Sequence, residues 1–198
     1  DISLRISADA DGDAALARAL HFARTLSAVI GSCCGRDRVT AASPAQVPPA
    51  MTAHLWDVLP AALSALGGAG GVDAIGPSVL DLPPARRTVV VLVDGMGEQL
   101  VRRRAGHAPF LRSGLGTAYR LECGYPSTTA TSMGSFGTGL PPGAHGLVGY
   151  EMLVPGEDRI FNALSWQDGP DARRWQPGDT AFELAEREGI AVTRIGPG

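Results

Sequence analysis

Lysine is absent from this 198-residue chain, and all 17 of its Lys/Arg positions are arginine. A phosphate loop of the Walker type and any Schiff-base mechanism both require a lysine, so both are excluded. Cysteine is scarce: Cys33, Cys34 and Cys123 lack metal-ligand spacing, and the adjacent pair could close only a strained vicinal disulfide. The expectation is reduced thiols in a cytoplasmic protein. No apolar run approaches the roughly 20 residues that span a bilayer, and no basic segment leads into an apolar one at the front, so no membrane partner is expected. The chain begins at Asp1 and not at methionine, so its natural start can lie upstream. A formal net charge of -3 implies no basic face for non-specific nucleic-acid binding.

What is present suffices for a core. Apolar residues make up 44% of the sequence, which argues against global disorder. Residues 2–7 alternate as a half-exposed strand, and after the turn Asp9-Ala10-Asp11-Gly12 comes a helix with Asp13 in its first turn and Leu16, Leu20 and Ala23 near one face. Residues 31–50 turn to Gly, Ser, Pro, Arg and Ala, the composition of a linker. Residues 1–50 thus read as a strand-helix appendage with linker. It is either an ordinary extension or the tail of a neighbouring protein, with Met51 as an internal start. Residues 51–84 form a helical lead-in, helix 52–66 kinked or divided in two at Pro60, then a loop. The main domain is expected over 85–198.

That domain opens on Thr88–Val93, an aliphatic run ended by Asp94-Gly95. A strand apolar on both faces suits the middle of a parallel sheet, and ligands gather beyond the carboxyl ends of such strands, where Asp94 sits. A short helix is expected at 98–104, a turn or half-helix at 109–113, and a strand over 117–123. Tyr125-Pro126-Ser127-Thr128-Thr129 reads as a loop entering a helix, with Ser127 or Thr128 as N-cap and Thr129 in the first turn. Free N–H groups and the helix dipole favour negative charge there. Beyond Pro141-Pro142-Gly143 come short strands near 151–154 and 159–162. A helix capped by Asp179 and closed by Gly189 follows, then a strand over 190–195.

Three ordered elements carry a family resemblance: Asp94-Gly95 after a strand, Pro126-Ser127-Thr128-Thr129 at a helix start, and Thr138-Gly139-Leu140-Pro141-Pro142-Gly143-Ala144-His145-Gly146. Over roughly residues 85–198 the chain resembles the alkaline phosphatase superfamily, closest to its type I phosphodiesterase / nucleotide pyrophosphatase branch. The resemblance implies an α/β, alkaline-phosphatase-like three-layer sandwich with a mainly parallel sheet, incomplete in this chain. It implies a metal-dependent phosphoric ester hydrolase with two divalent cations, zinc-like, acting on a small phosphate ester or nucleotide. By position, Asp94 is a metal ligand, and Thr129 is the nucleophile and a ligand of the same ion. A threonine hydroxyl attacks well only when a metal or base takes up its charge.

Alternatives stay open at this level. Thr128 is the second candidate nucleophile, and the alternative for Asp94 is simply to cap the turn after its strand. His145 is read as structural before metal-binding, and Trp166 and Trp175 as core or rim before substrate stacking. His21, His54 and His107 have no partner spacing. Where the branch often has an asparagine holding a phosphate oxygen, this chain has Tyr150, whose phenol is the candidate substrate-binding group. No histidine follows His145, and zinc sites usually need three or four protein ligands. The 198 residues alone are therefore expected to bind metal poorly and turn over little. A non-catalytic fragment, a degenerate binding module and a phosphomonoesterase are the rival functions. A haloacid-dehalogenase-type site would need an aspartate where Met96 stands, and no G-x-S-x-G elbow surrounds Ser127 or Ser135.

Overall fold

The computed structural model describes residues 2–6, 30–31, 52–68, 80–116 and 118–195, the first two segments by their backbone alone. The helix expected from Asp13 and most of the 31–50 linker lie outside the described residues. The strands are β1 (Ile2–Ile6), β2 (Ile30–Gly31), β3 (Ala53–His54), β4 (Thr88–Leu92), β5 (Arg120–Glu122), β6 (Glu151–Leu153), β7 (Ile160–Asn162) and β8 (Val192–Ile195). The helices are α1 (Val58–Ala65), α2 (Glu98–Arg103), α3 (Pro109–Gly114), α4 (Thr129–Thr138), α5 (Pro142–His145), α6 (Ala172–Trp175) and α7 (Ala181–Arg187).

The fold mixes helix and strand, as an α/β chain does, and contains a small parallel sheet in the order β2-β5-β3. The strand carrying Asp94 is not in it. β4 and β8 run in the same direction but flank β1, which pairs antiparallel with both, in registers Leu4↔Val90 and Leu4↔Arg194. The expected mainly parallel sheet is thus corrected for the described residues. An all-aliphatic strand does not say which of its faces is covered. Val90 and Leu92 pack on the core, whereas Val91 stays 54% exposed.

The expected 52–66 helix is shorter than its pattern. Ala53 and His54 pair with β5, a 3-10 turn covers Leu55–Asp57, and the α-helix begins at Val58. Pro60 therefore falls at the third helical position, where its missing N–H has no intrahelical partner to lose, and the kink is unnecessary. Every residue of α1 except Ser64 is buried. An all-round apolar helix of this kind belongs in the interior. It packs with Leu121 of β5, Phe136 of α4, and Ala181 and Ala185 of α7. Each fully buried leucine among them contributes about 1.5–3 kcal/mol of transfer free energy.

A second, smaller cluster holds the β6/β7 hairpin: Met152, Val154 and Phe161, with Leu147, Trp166 and Trp175 against them. Phe161 meets both tryptophans edge-on, at centroid distances of 4.9 and 5.0 Å. Helix α7 is capped by Thr180 and not by Asp179, in a reciprocal box with Glu183, and Asp179 instead receives two bonds from Arg187. Gly189 follows with φ +74°, as the closing glycine requires.

Candidate active site

The site is built at the start of α4. Thr128 is its N-cap: the backbone is extended, and Oγ1 accepts from the Thr131 N–H at 3.3 Å while donating to Thr131 Oγ1 at 2.9 Å. That leaves Thr129 at the first helical position, half-buried, with its hydroxyl turned to the cleft. The N–H groups of Thr129 and Ala130 have no acceptor among the described residues, as the first turn of a helix dictates.

The rest of α4 holds this end in place by close packing. Thr131 and Ser135 are fully buried. A Cβ on Gly134 would lie 2.7 Å from Leu147 Cδ1 and 2.8 Å from His145 Cε1, so only glycine admits the following loop. His145 sits under it, 1% exposed, with both ring nitrogens engaged. The Leu147 N–H donates to Nδ1 at 3.1 Å, which leaves the proton on Nε2 to be donated to Ser135 Oγ at 2.9 Å. Burial lowers its pKa from the usual 6.5. This histidine faces the interior of the α4–α5 packing and is absent from the cleft lining.

Asp94 follows β4 on a turn whose Gly95 takes φ +70°. The Thr129 hydroxyl donates to Asp94 Oδ2 at 3.2 Å. From the other side the Tyr150 hydroxyl donates to Thr129 Oγ1 at 2.8 Å. Tyr150 is set there by the hairpin: its carbonyl accepts from the Ala163 N–H at 2.7 Å, extending the β6/β7 ladder by one bond. The three residues singled out in the sequence, separated by 35 and 21 positions, thus form one hydrogen-bonded chain.

Asp94 and Thr129 line a cleft of about 930 Å³. Its walls include Met133, Leu164, Trp166 and Phe182, and Arg173 and Arg194 border it. Arg173 is tied to Glu183 and to the Gly178 carbonyl. Trp166 and Trp175 each donate their indole N–H to a backbone carbonyl, Pro170 and Gly146 respectively, and both pack against Phe161. Sequence reasoning did not single out the two arginines. In a chain whose cations are all arginine and widely scattered, neither has a spacing signal.

The profile of the type I phosphodiesterase / nucleotide pyrophosphatase family matches residues 88–196, more than half of the chain. The chain belongs to that family. The matched span of this phosphodiesterase-family chain opens on β4 and contains Asp94, Thr129 and Tyr150. No solved structure matches it. Membership points to a phosphoric ester hydrolase, in a family that generally depends on metal.

The donor set tests that dependence. Asp94 Oδ2 and Thr129 Oγ1 are close enough to share one cation, but they are two oxygens where zinc normally takes three or four protein ligands. No group of three or more His, Cys, Asp and Glu able to hold a metal exists among the described residues. These residues do not by themselves make a metal centre. No helix among the described residues is long and apolar enough to cross a membrane.

Proposed function

We propose that this chain carries the nucleophile of a phosphodiesterase or nucleotide pyrophosphatase, with Thr129 as the attacking residue on an alkaline-phosphatase-like scaffold. The observation that carries the reading is the Thr129 hydroxyl bonded to the carboxylate at the end of β4. An Oγ1 lone pair forms the new O–P bond, the ester or anhydride P–O bond breaks, and its electron pair leaves on the departing oxygen. The Thr129 proton passes to Asp94 Oδ2 and from there to the leaving group or to water. Hydrolysis completes the cycle: a water oxygen bonds to phosphorus, Thr129 Oγ1 departs, and one water proton returns to it.

The open N–H groups at the start of α4 support the same reading, since a helix N-terminus stabilises negative charge on a bound phosphoryl oxygen. The two divalent cations implied by the resemblance would take Asp94 and Thr129 as two of their ligands. Small phosphate diesters and nucleotide anhydrides are the substrate class. A non-catalytic binding role is the second reading, favoured by the short ligand set among the described residues.

One comparison separates the two. In the protein as its gene encodes it, Thr129→Ala and Asp94→Asn are expected to lower hydrolysis of bis(p-nitrophenyl) phosphate by on the order of a thousandfold. Thr129→Ser should keep a measurable part. Equal activity in all four proteins contradicts the proposal.

A further inference from the structure

The direction of each hydrogen in the Tyr150–Thr129–Asp94 chain follows from chemistry. Thr129 has one hydroxyl proton, and an ionised carboxylate can only accept, so that proton lies on the line to Asp94 Oδ2. The contact at 2.8 Å between the two hydroxyls must then be donated by the phenol. Thr129 Oγ1 gives one bond and receives one, keeping a single lone pair to attack with. Tyr150 is 41% exposed, and its backbone is fixed by the hairpin bond from the Ala163 N–H.

We propose that Tyr150 is a group of the nucleophile and not of the substrate: its phenol O–H holds Thr129 Oγ1. This rests on the reading of Thr129 as the attacking residue. The phenol does two things. It fixes the hydroxyl rotor with the proton aimed at Asp94, which is the geometry needed for transfer. It also stabilises negative charge on Oγ1 twice per cycle, when the proton leaves before attack and when the same oxygen departs from phosphorus. Both effects lie in the reacting oxygen, so they act on the maximal rate and leave ground-state substrate binding nearly unchanged. A phenol gripping a substrate phosphate oxygen in the ground state would act on binding.

The test is covalent labelling of the native gene product with p-nitrophenyl methylphosphonate, followed by peptide mass spectrometry and by release of nitrophenol. The expected result is label on Thr129 of the unsubstituted protein, and a maximal labelling rate about a hundred- to a thousandfold lower in Tyr150→Phe, on the scale of one lost charge-stabilising donor. The half-saturating reagent concentration should stay within about twofold. Should the maximal rate survive in Tyr150→Phe while the half-saturating concentration rises about tenfold, the phenol binds substrate. The proposal then falls, with Thr129 still the nucleophile. Absence of label from Thr129 in the unsubstituted protein overturns the nucleophile reading and this one with it. A second variant removes any doubt from misfolding: 3-fluorotyrosine at position 150 keeps the shape and makes the donor more acidic. The maximal rate should change with that acidity; an unchanged rate contradicts the proposal.

Discussion

Thr129 donates its hydroxyl hydrogen to Asp94 Oδ2 at 3.2 Å, across 35 residues of sequence. The contact exists because β4 ends at one rim of the cleft and α4 begins at the same rim. A hydroxyl at a helix start is common, and so is an aspartate in a turn after a strand. Their meeting, with a phenol on the third side, gives the hydroxyl a fixed proton direction.

The neighbouring Thr128 is the N-cap of α4, and with Thr129 proposed as the attacker the two threonines should separate cleanly on substitution. Its oxygen is occupied by Thr131 N–H and Oγ1. Thr128→Ala is expected to cost about 0.5–2 kcal/mol of stability, the usual loss for an N-cap, with activity reduced far less than in Thr129→Ala. Urea unfolding and diester hydrolysis measured on the same samples check this. The reverse ranking of activities would exchange their roles.

Gly134→Ala should destabilise the protein by about 1–3 kcal/mol, the usual range for overpacking. The added methyl meets Leu147 Cδ1 at 2.7 Å and the His145 ring at 2.8 Å, and the ring is held by bonds at both of its nitrogens. Thermal unfolding reads the effect. An unchanged melting temperature would show that the loop after α5 is looser than its packing indicates.

His145 should make stability depend on pH. Its folded-state pKa lies below the usual 6.5 because burial disfavours the charged ring. Above 6.5 the ring is neutral in both states and its packing contributes in full. As pH falls below that value the unfolded chain binds a proton that the folded one resists, so stability declines until the folded-state pKa is passed. Protonation would also end the bond from the Leu147 N–H to Nδ1. Unfolding free energy followed from pH 7.5 to 5 should fall more steeply in the natural protein than in His145→Gln, which has nothing to titrate at that position. Parallel curves would remove this group as the cause.

Much of the local structure was legible because it is set by local chemistry. The Thr128 cap, the closing glycine at 189 and the hairpin around Pro155-Gly156 follow from residues within a few positions of each other. Sheet membership was not legible in that way. The aliphatic run of β4 fits several partners, and its neighbour is β1, from the start of the sequence. The start of α1 was misplaced for a related reason: Ala53 and His54 are drawn into pairing with β5, a tertiary demand that helix pattern does not register. At the site, motif spacing brought Asp94 and Thr129 to notice. The bond from Tyr150 depends on where a hairpin 21 residues downstream folds back, which no spacing rule encodes.

The most direct measurement is an acid-quenched single turnover of bis(p-nitrophenyl) phosphate by the native gene product, digested and sequenced by mass spectrometry. The predicted result is a phosphoryl ester on Thr129 that accumulates before steady state and is absent from Thr129→Ala. Hydrolysis that proceeds with no covalent ester, or with the ester on another residue, would contradict it.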